Sequence, residues 1–252
     1  MKNHFFISYF GNKRQEVEKI VNTIKDLDNI KTIVEPFCGT SALSYYISTL
    51  FPKKFKYILN DNNEHLIKLY KIAQDEELLK QLVLELNELL IGLNKEKYLK
   101  ILKNNDLIAF ILKNKIYKIR PGLYPDDNSR SNPNMFNLMM TCPIIHFLRN
   151  ENIEFKNMCA IEVYNEYKTQ ADAYIFLDPP YLQACNDFYD KTNINIYEYL
   201  MENPIKKENA QIALCLEANW IIKMLFRHNT TIAYDKVYQT NKKKTTHIII
   251  TK

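Results

Sequence analysis

The chain has 252 residues, 46% of them hydrophobic and 25% charged, with a formal net charge of +5. This is ordinary globular composition, sufficient for one large α/β domain or a domain with an insertion, and the mild basic bias permits a polyanionic partner without demanding one. No run approaches 18 apolar residues, which excludes a membrane-spanning helix, and the opening MKNHFFISYFGNKRQE lacks the apolar stretch of a signal peptide. The five cysteines are dispersed, with no Cys-x-x-Cys pair, so free thiols in a reducing, cytoplasmic setting are expected and a zinc site is not.

In chain order, TIVEPF (32–37) is a short β-branched run ending in Pro-Phe-Cys-Gly. SALSYYISTLF (41–51) follows with helical spacing, placing Leu43, Tyr46, Ile47 and Leu50 on one stripe. FKYILND (55–61) is the next strand candidate, and EHLIKLYKIA behind it is helical. From residue 75 to 150 the pattern changes to helical periods and then to a basic, Pro-, Asn- and Ser-rich stretch, KNKIYKIRPGLYPDDNSRSNPNMFN. The expected organisation is therefore a catalytic domain from 1–74 and 151–252, interrupted by a helical insertion at 75–150. IEVYN (161–165) is a weaker strand candidate, and AYIFLD (173–178), QIALCLE (211–217), TTIAYDKVY (230–238) and THIIIT (246–251) are firm ones. Seven strands alternating with helices predict a doubly wound α/β sheet. TNKKK between the last two strands is too short for a parallel crossover, so that pair is expected to be an antiparallel hairpin.

Ligands of open α/β sheets bind at the carboxyl ends of the strands. Three such ends are unusual here. Glu35-Pro36-Phe37-Cys38-Gly39 is a strand–glycine–helix junction, either a cofactor cradle or an ordinary βα turn. Asp61 ends the following strand, where such folds keep a carboxylate for ribose hydroxyls, and where an acid also caps a helix well. The third is YIFLDPPY, in which a buried-strand pattern stops at two prolines that cannot continue a ladder. Its bland reading is a tight turn. Its sharper one is a rigid loop holding the carboxylate of Asp178 and the ring of Tyr181 at fixed spacing.

Taken in order, SYFGNK, EPFCGTSAL, LNDNNEHLIKLY and FLDPPY resemble the Dam-type DNA adenine-N6 methyltransferases, which use S-adenosylmethionine (AdoMet). Tyr9-Phe10-Gly11-Asn12-Lys13 matches the family's aromatic-x-Gly-Gly-Lys with Asn12 for the second glycine. Glu35 to Gly39 match its Glu-Pro-Phe-x-Gly-x-Gly, with Ser41 for the last glycine. Asp61, Asn63, Leu66 and Ile67 match Asp-x-Asn-x-x-Leu-Ile, and Asp178 to Tyr181 match the Asp-Pro-Pro-Tyr box in full. NIEFKN (152–157) looks like the segment upstream of that box. The resemblance implies a class I, Rossmann-like seven-stranded fold with a helical target-recognition insertion. It also implies an AdoMet site built from Tyr9, Lys13, Glu35, Phe37, Gly39, Asp61 and Asp178, with Phe155 either packing on the cofactor adenine or belonging to the core.

The chemistry suits those residue types. Adenine N6 is a poor nucleophile because its lone pair is delocalised, and acceptors on its N–H groups favour a pyramidal, more reactive nitrogen. The Asp178 side chain and the Pro179 carbonyl supply two acceptors, and a carboxylate matches the positive charge that builds on nitrogen. Pro179 and Pro180 pre-set the loop. Tyr181 offers a stacking face for a base flipped out of duplex DNA. For DNA contacts the sequence offers Lys118, Arg120 and Arg130 in the insertion, flanked by Lys113, Lys115 and Arg149. Lys243, in the run Lys242 to Lys244, lies between the last two strands, and residues 186–191 follow the box. Each cation has the alternative of a solvated surface charge.

Three functions remain open on the sequence: a site-specific DNA adenine methyltransferase, a methyltransferase acting on nitrogen in RNA or protein, and a non-catalytic nucleic-acid binder retaining the fold. Asp178 at the head of the box argues for adenine, and intact Lys13, Asp61 and Tyr181 argue for catalysis. The expected partners are double-stranded DNA and a possible cognate restriction endonuclease, with no membrane and no metal. Oligomeric state is not indicated.

Overall fold

The computed structural model describes residues 5–7, 9, 12–116, 135–181, 196–237 and 244–252. Within them the elements run α1 (Val17–Val21), β1 (Thr32–Glu35), α2 (Ala42–Leu50), β2 (Lys56–Asn60), α3 (Glu64–Gln74), α4 (Glu76–Leu90), α5 (Lys95–Lys103), α6 (Leu107–Ile116), a 3-10 turn (Met135–Met139), α7 (Pro143–Asn150), β3 (Asn152–Lys156), α8 (Ala160–Tyr167), β4 (Ala173–Leu177), α9 (Ile196–Glu202), a short 3-10 turn (Ile205–Lys207), β5 (Gln211–Glu217), α10 (Trp220–Leu225), β6 (Thr230–Val237) and β7 (Lys244–Thr251). The chain divides into two compact units, one of Lys13–Asn63 with Glu151–Lys252 and one of Met1–Asn12 with Glu64–Asn150.

The first unit holds a seven-stranded sheet in the order β3-β2-β1-β4-β5-β7-β6. The β3, β2, β1, β4 and β5 neighbours are parallel, and β7 runs antiparallel between β5 and β6. This is the α/β, class I methyltransferase arrangement expected from the sequence, including the final antiparallel hairpin. Parallel strands covered on both faces read as unbroken apolar runs, which is why AYIFL and QIALCLE were legible. On one face Val34, Ile58, Ile175, Leu177, Ile212, Leu214, Ile248 and Ile250 pack on Val163, Tyr164 and Tyr167 of α8, Ile196 and Leu200 of α9, and Ile222 of α10. On the other, the fully buried Tyr174 donates its hydroxyl to the Ile20 carbonyl of α1 at 3.3 Å.

One strand expectation fails. IEVYN is part of helix α8, and the seventh strand is NIEFK. The β-branched and aromatic residues of IEVYN suit a strand in isolation. Over the full element, however, buried Ala160, Val163, Tyr164 and Tyr167 follow a helical period and face the sheet core. NIEFK is a partly exposed outer strand whose polar–apolar alternation spans only five residues and two apolar side chains, and it is held by its register with Lys56–Asn60.

The second unit is helical. α3 packs against α4, α6 and α7, so the helical stretch of this unit includes α3 and runs from Glu64. Asp75 caps α4 by accepting from the amides of Glu77 and Leu78, at 2.9 and 3.0 Å. Phe5 joins this core against Tyr70, with ring centroids 5.6 Å apart. No helix of the described residues is long and apolar enough to cross a membrane.

Candidate active site

The carboxyl ends of β1, β2 and β3 are stitched together by one buried amide. Asn60 donates from Nδ2 to the carbonyls of Pro36 (2.9 Å) and Met158 (3.1 Å) and accepts from the Met158 amide (3.0 Å). Its own carbonyl accepts from the Cys38 amide at 2.7 Å. These bonds fix the turn after β1, where Gly39 takes φ +47°. Ser41 takes φ +47° and ψ +38°, the left-handed conformation that glycine adopts freely and a serine adopts at a cost of about 1–2 kcal/mol. The serine that stands where the family pattern has its last glycine thus adopts a backbone conformation that glycine would adopt without strain.

Ser41 makes no side-chain cap for α2. Glu35 caps it instead: its Oε1 accepts from the Ser44 amide (2.9 Å) and the Ser44 hydroxyl (2.5 Å). Burial pushes the Glu35 carboxyl up to about 7, with the Ser44 bonds working against it and the charge of Asp178 adding to it. Asp61, just beyond β2, accepts from the Gly39 amide at Oδ2 (3.1 Å) and the Asn63 amide at Oδ1 (3.0 Å). A carboxylate held by backbone amides at a strand end suits ribose hydroxyls, since its two oxygens accept about four bonds in all. Phe37 is half-buried against the sheet core, and Phe155 is half-buried on β3.

The end of β4 is built differently. Asp178 binds the Lys13 ammonium through Oδ2 at 2.5 Å and the Tyr181 hydroxyl through Oδ1 at 3.3 Å. Burial raises the Asp178 carboxyl above its ordinary range, and Lys13 pulls it back. Burial works to lower Lys13, but the charge of Asp178 chiefly, with Cys215 and Glu16 helping, raises it above its ordinary value. Glu16 in turn pairs with Lys236 of β6, so positive and negative charges alternate from Lys236 to Asp178. The Lys13 ammonium also stands 5.2 Å from the centroid of the Tyr181 ring. Behind the loop, Tyr197 of α9 donates to the Pro180 carbonyl at 3.0 Å.

The structure therefore brings Lys13, Asp178 and Tyr181 together, and separately Glu35, Gly39 and Asp61. Tyr9 belongs to the helical unit, where its ring meets Phe110 edge-on at 6.3 Å. Lys118, Arg120, Arg130 and Lys243, and the stretch 186–191, lie outside the described residues. Among the flanking cations, Lys113 is exposed on α6. Arg149 is engaged within its own unit, donating to Glu76 (3.1 Å) and the Ala73 carbonyl (3.3 Å). Lys244 pairs with Asp235 across the hairpin at 2.8 Å.

The sequence of residues 9–202 matches the family described as D12 class N6 adenine-specific DNA methyltransferase. The chain belongs to that family. It is also similar to the Type II methyltransferase M.MjaIII of Methanocaldococcus jannaschii, with 28% identity over 230 residues, covering 80% of this chain and 76% of the relative. Of the three readings open on sequence, this selects an enzyme that methylates adenine N6 in DNA, and such an enzyme requires a methyl donor. This D12 methyltransferase carries its Asp-Pro-Pro-Tyr box at the end of β4, with β5 between that strand and the antiparallel pair that completes the sheet.

Sequence reasoning missed Glu16, Tyr197, Cys215, Tyr234, Lys236 and His247. Most had no local signal. His247 had one: a single imidazole just before the aliphatic run Ile248 to Ile250 within β7, yet fully buried.

Proposed function

We propose that the methyl donor is AdoMet and that the acceptor is an adenine flipped out of duplex DNA. The residues at the β1 and β2 ends fit such a cofactor. Asp61 would accept from the ribose hydroxyls, while Gly39, in its left-handed turn, would let the backbone approach the methionine side closely. Bound there, AdoMet supplies an electrophilic methyl group.

The remaining work falls to the box. Asp178 would accept from one N–H of the target amine and the Pro179 carbonyl from the other, loosening the lone pair from the ring. As positive charge builds on N6, the Asp178 carboxylate stabilises it. Lys13 holds that carboxylate in place and opposes its burial-driven protonation. Tyr181 offers its ring for stacking, worth about 1–3 kcal/mol per base, which offsets part of the few kcal/mol needed for flipping. Cys38 and Cys215 are buried with their thiols pushed up, so neither suits a covalent step.

The observation that carries this reading is a half-buried carboxylate fixed by Lys13 and Tyr181 at the end of β4. We further propose that Lys118, Arg120 and Arg130 of the insertion, together with Lys243 between the last two strands in sequence, dock the DNA. The Type II name of the relative supports a partner endonuclease with the same target site. Transfer of label from methyl-labelled AdoMet to duplex DNA tests the reading. Asp178→Ala is expected to lower transfer by at least ~10²-fold while calorimetry still detects AdoMet binding. Near-normal transfer by that variant, or no AdoMet binding by the wild type, would sink it.

A further inference from the structure

The Tyr181 hydroxyl faces more acceptors than it has protons. Its oxygen is 3.3 Å from Asp178 Oδ1 and 3.4 Å from Nδ1 of His247. The thiol of Cys215 approaches the same oxygen at 3.8 Å and the Tyr234 hydroxyl at 3.2 Å. The His247 ring lies edge-on to Tyr181, with centroids 5.2 Å apart, and tilted to Tyr234 at 5.7 Å. It is fully buried, and burial, assisted by the charges of Lys236 and Lys13, lowers its pKa to about 3. The imidazole is therefore neutral and carries one proton, leaving one ring nitrogen as an acceptor.

We propose that His247 is a positioning residue for methyl transfer: with its proton on Nε2, its Nδ1 takes over the Tyr181 hydroxyl when Asp178 turns to the target amine. This rests on the proposed role of Asp178. A phenolic hydroxyl has a single proton to donate. While it points at Asp178 Oδ1, it takes one of that oxygen's two acceptor positions and draws on the carboxylate charge that the amine N–H would otherwise have to itself. Turned away without a second acceptor, it would be a part-buried donor left unsatisfied, which is costly. Nδ1 of His247, at nearly the same distance, removes that cost. No bond to hydrogen breaks, since only the O–H direction changes. The antiparallel course of β7 makes the arrangement possible. It brings the start of that strand, with His247 opposite Glu217, to the rim where parallel β4 and β5 end.

A double-mutant cycle tests the hand-over. His247→Leu should lower the single-turnover rate about tenfold, with AdoMet affinity unchanged. His247→Asn, which restores an acceptor, should recover most of the loss. In a Tyr181→Phe background, with no hydroxyl to house, His247→Leu should change the rate less than about twofold. Equal losses in both backgrounds, or no rescue by Asn, would make His247 merely structural. Should His247→Leu not fold, ¹⁵N-histidine spectra of the wild type, assigned with His247→Asn, decide the matter. An unprotonated Nδ1 whose resonance moves on adding DNA and AdoMet supports the proposal, and a protonated Nδ1 overturns it. Asp178→Asn is measured alongside. If it remains active, the Asp178 reading fails; if it is inactive while the cycle is additive, only the role of His247 fails.

Discussion

The two stretches of the sheet's carboxyl rim are held by different forces. At the ends of β1 and β2 the functional groups are fixed through the backbone: Asp61 by the amides of Gly39 and Asn63, the turn by Asn60, and α2 by Glu35 on the Ser44 amide. At the end of β4 they are held by side chains: Lys13 and Tyr181 on Asp178, with His247 and Cys215 behind. Backbone amides have one proton in one direction. Ammonium, phenol, thiol and imidazole groups can redirect or redistribute theirs. The first arrangement suits a cradle that keeps its shape. The second suits a centre whose charge and hydrogen bonds change during a reaction.

Substitutions can sharpen or break that contrast. The largest expected effect on stability is at Glu35. Its folded-state value of about 7 lies above the ordinary 4.5, so the folded protein holds this proton more tightly than the unfolded chain does. The associated stability is complete below about pH 4.5, is lost as pH rises toward 7, and amounts to roughly 3 kcal/mol. Melting temperatures of Glu35→Gln should therefore fall less between pH 5 and 8 than those of the wild type. Parallel curves would mean that Glu35 is not a buried, protonated cap.

A smaller effect is expected at Tyr197, whose hydroxyl supports the Pro180 carbonyl at 3.0 Å. Tyr197→Phe should slow methyl transfer by about threefold to tenfold, in line with the loss of one hydrogen bond, and leave AdoMet affinity alone. A change in AdoMet affinity with an unaltered rate would blur the division between cradle and centre. The smallest effect is at Ser41. Ser41→Gly removes the left-handed strain but adds chain entropy to the unfolded state, so the net stabilisation should be below about 1 kcal/mol, read from denaturant midpoints. A marked destabilisation would show that the serine hydroxyl matters more than its backbone.

Legibility in the sequence followed how local the physical cause was. The box at Asp178 was visible because prolines end a strand wherever they fall. The final hairpin was visible because a short connection cannot return a parallel strand. β3 was not, since the polar–apolar alternation of NIEFK is only five residues long and its place in the sheet comes from pairing with β2, and IEVYN was misread because its helical stripe shows only across the longer segment. Ser41 was visible as a departure from the family pattern, but not that its backbone is left-handed, a conformation suited to glycine.

By itself the sequence determined the fold class, the family and the residues of the three strand ends, because each is written in contiguous residues obeying local rules. Only the tertiary structure decided what surrounds Asp178. Lys13 is 165 positions away in the chain, and the Tyr181–His247 contact spans 66. Contacts over such distances exist only once strand order and the reversed direction of β7 bring those ends to one rim. No local rule encodes that neighbourhood; the sheet creates it.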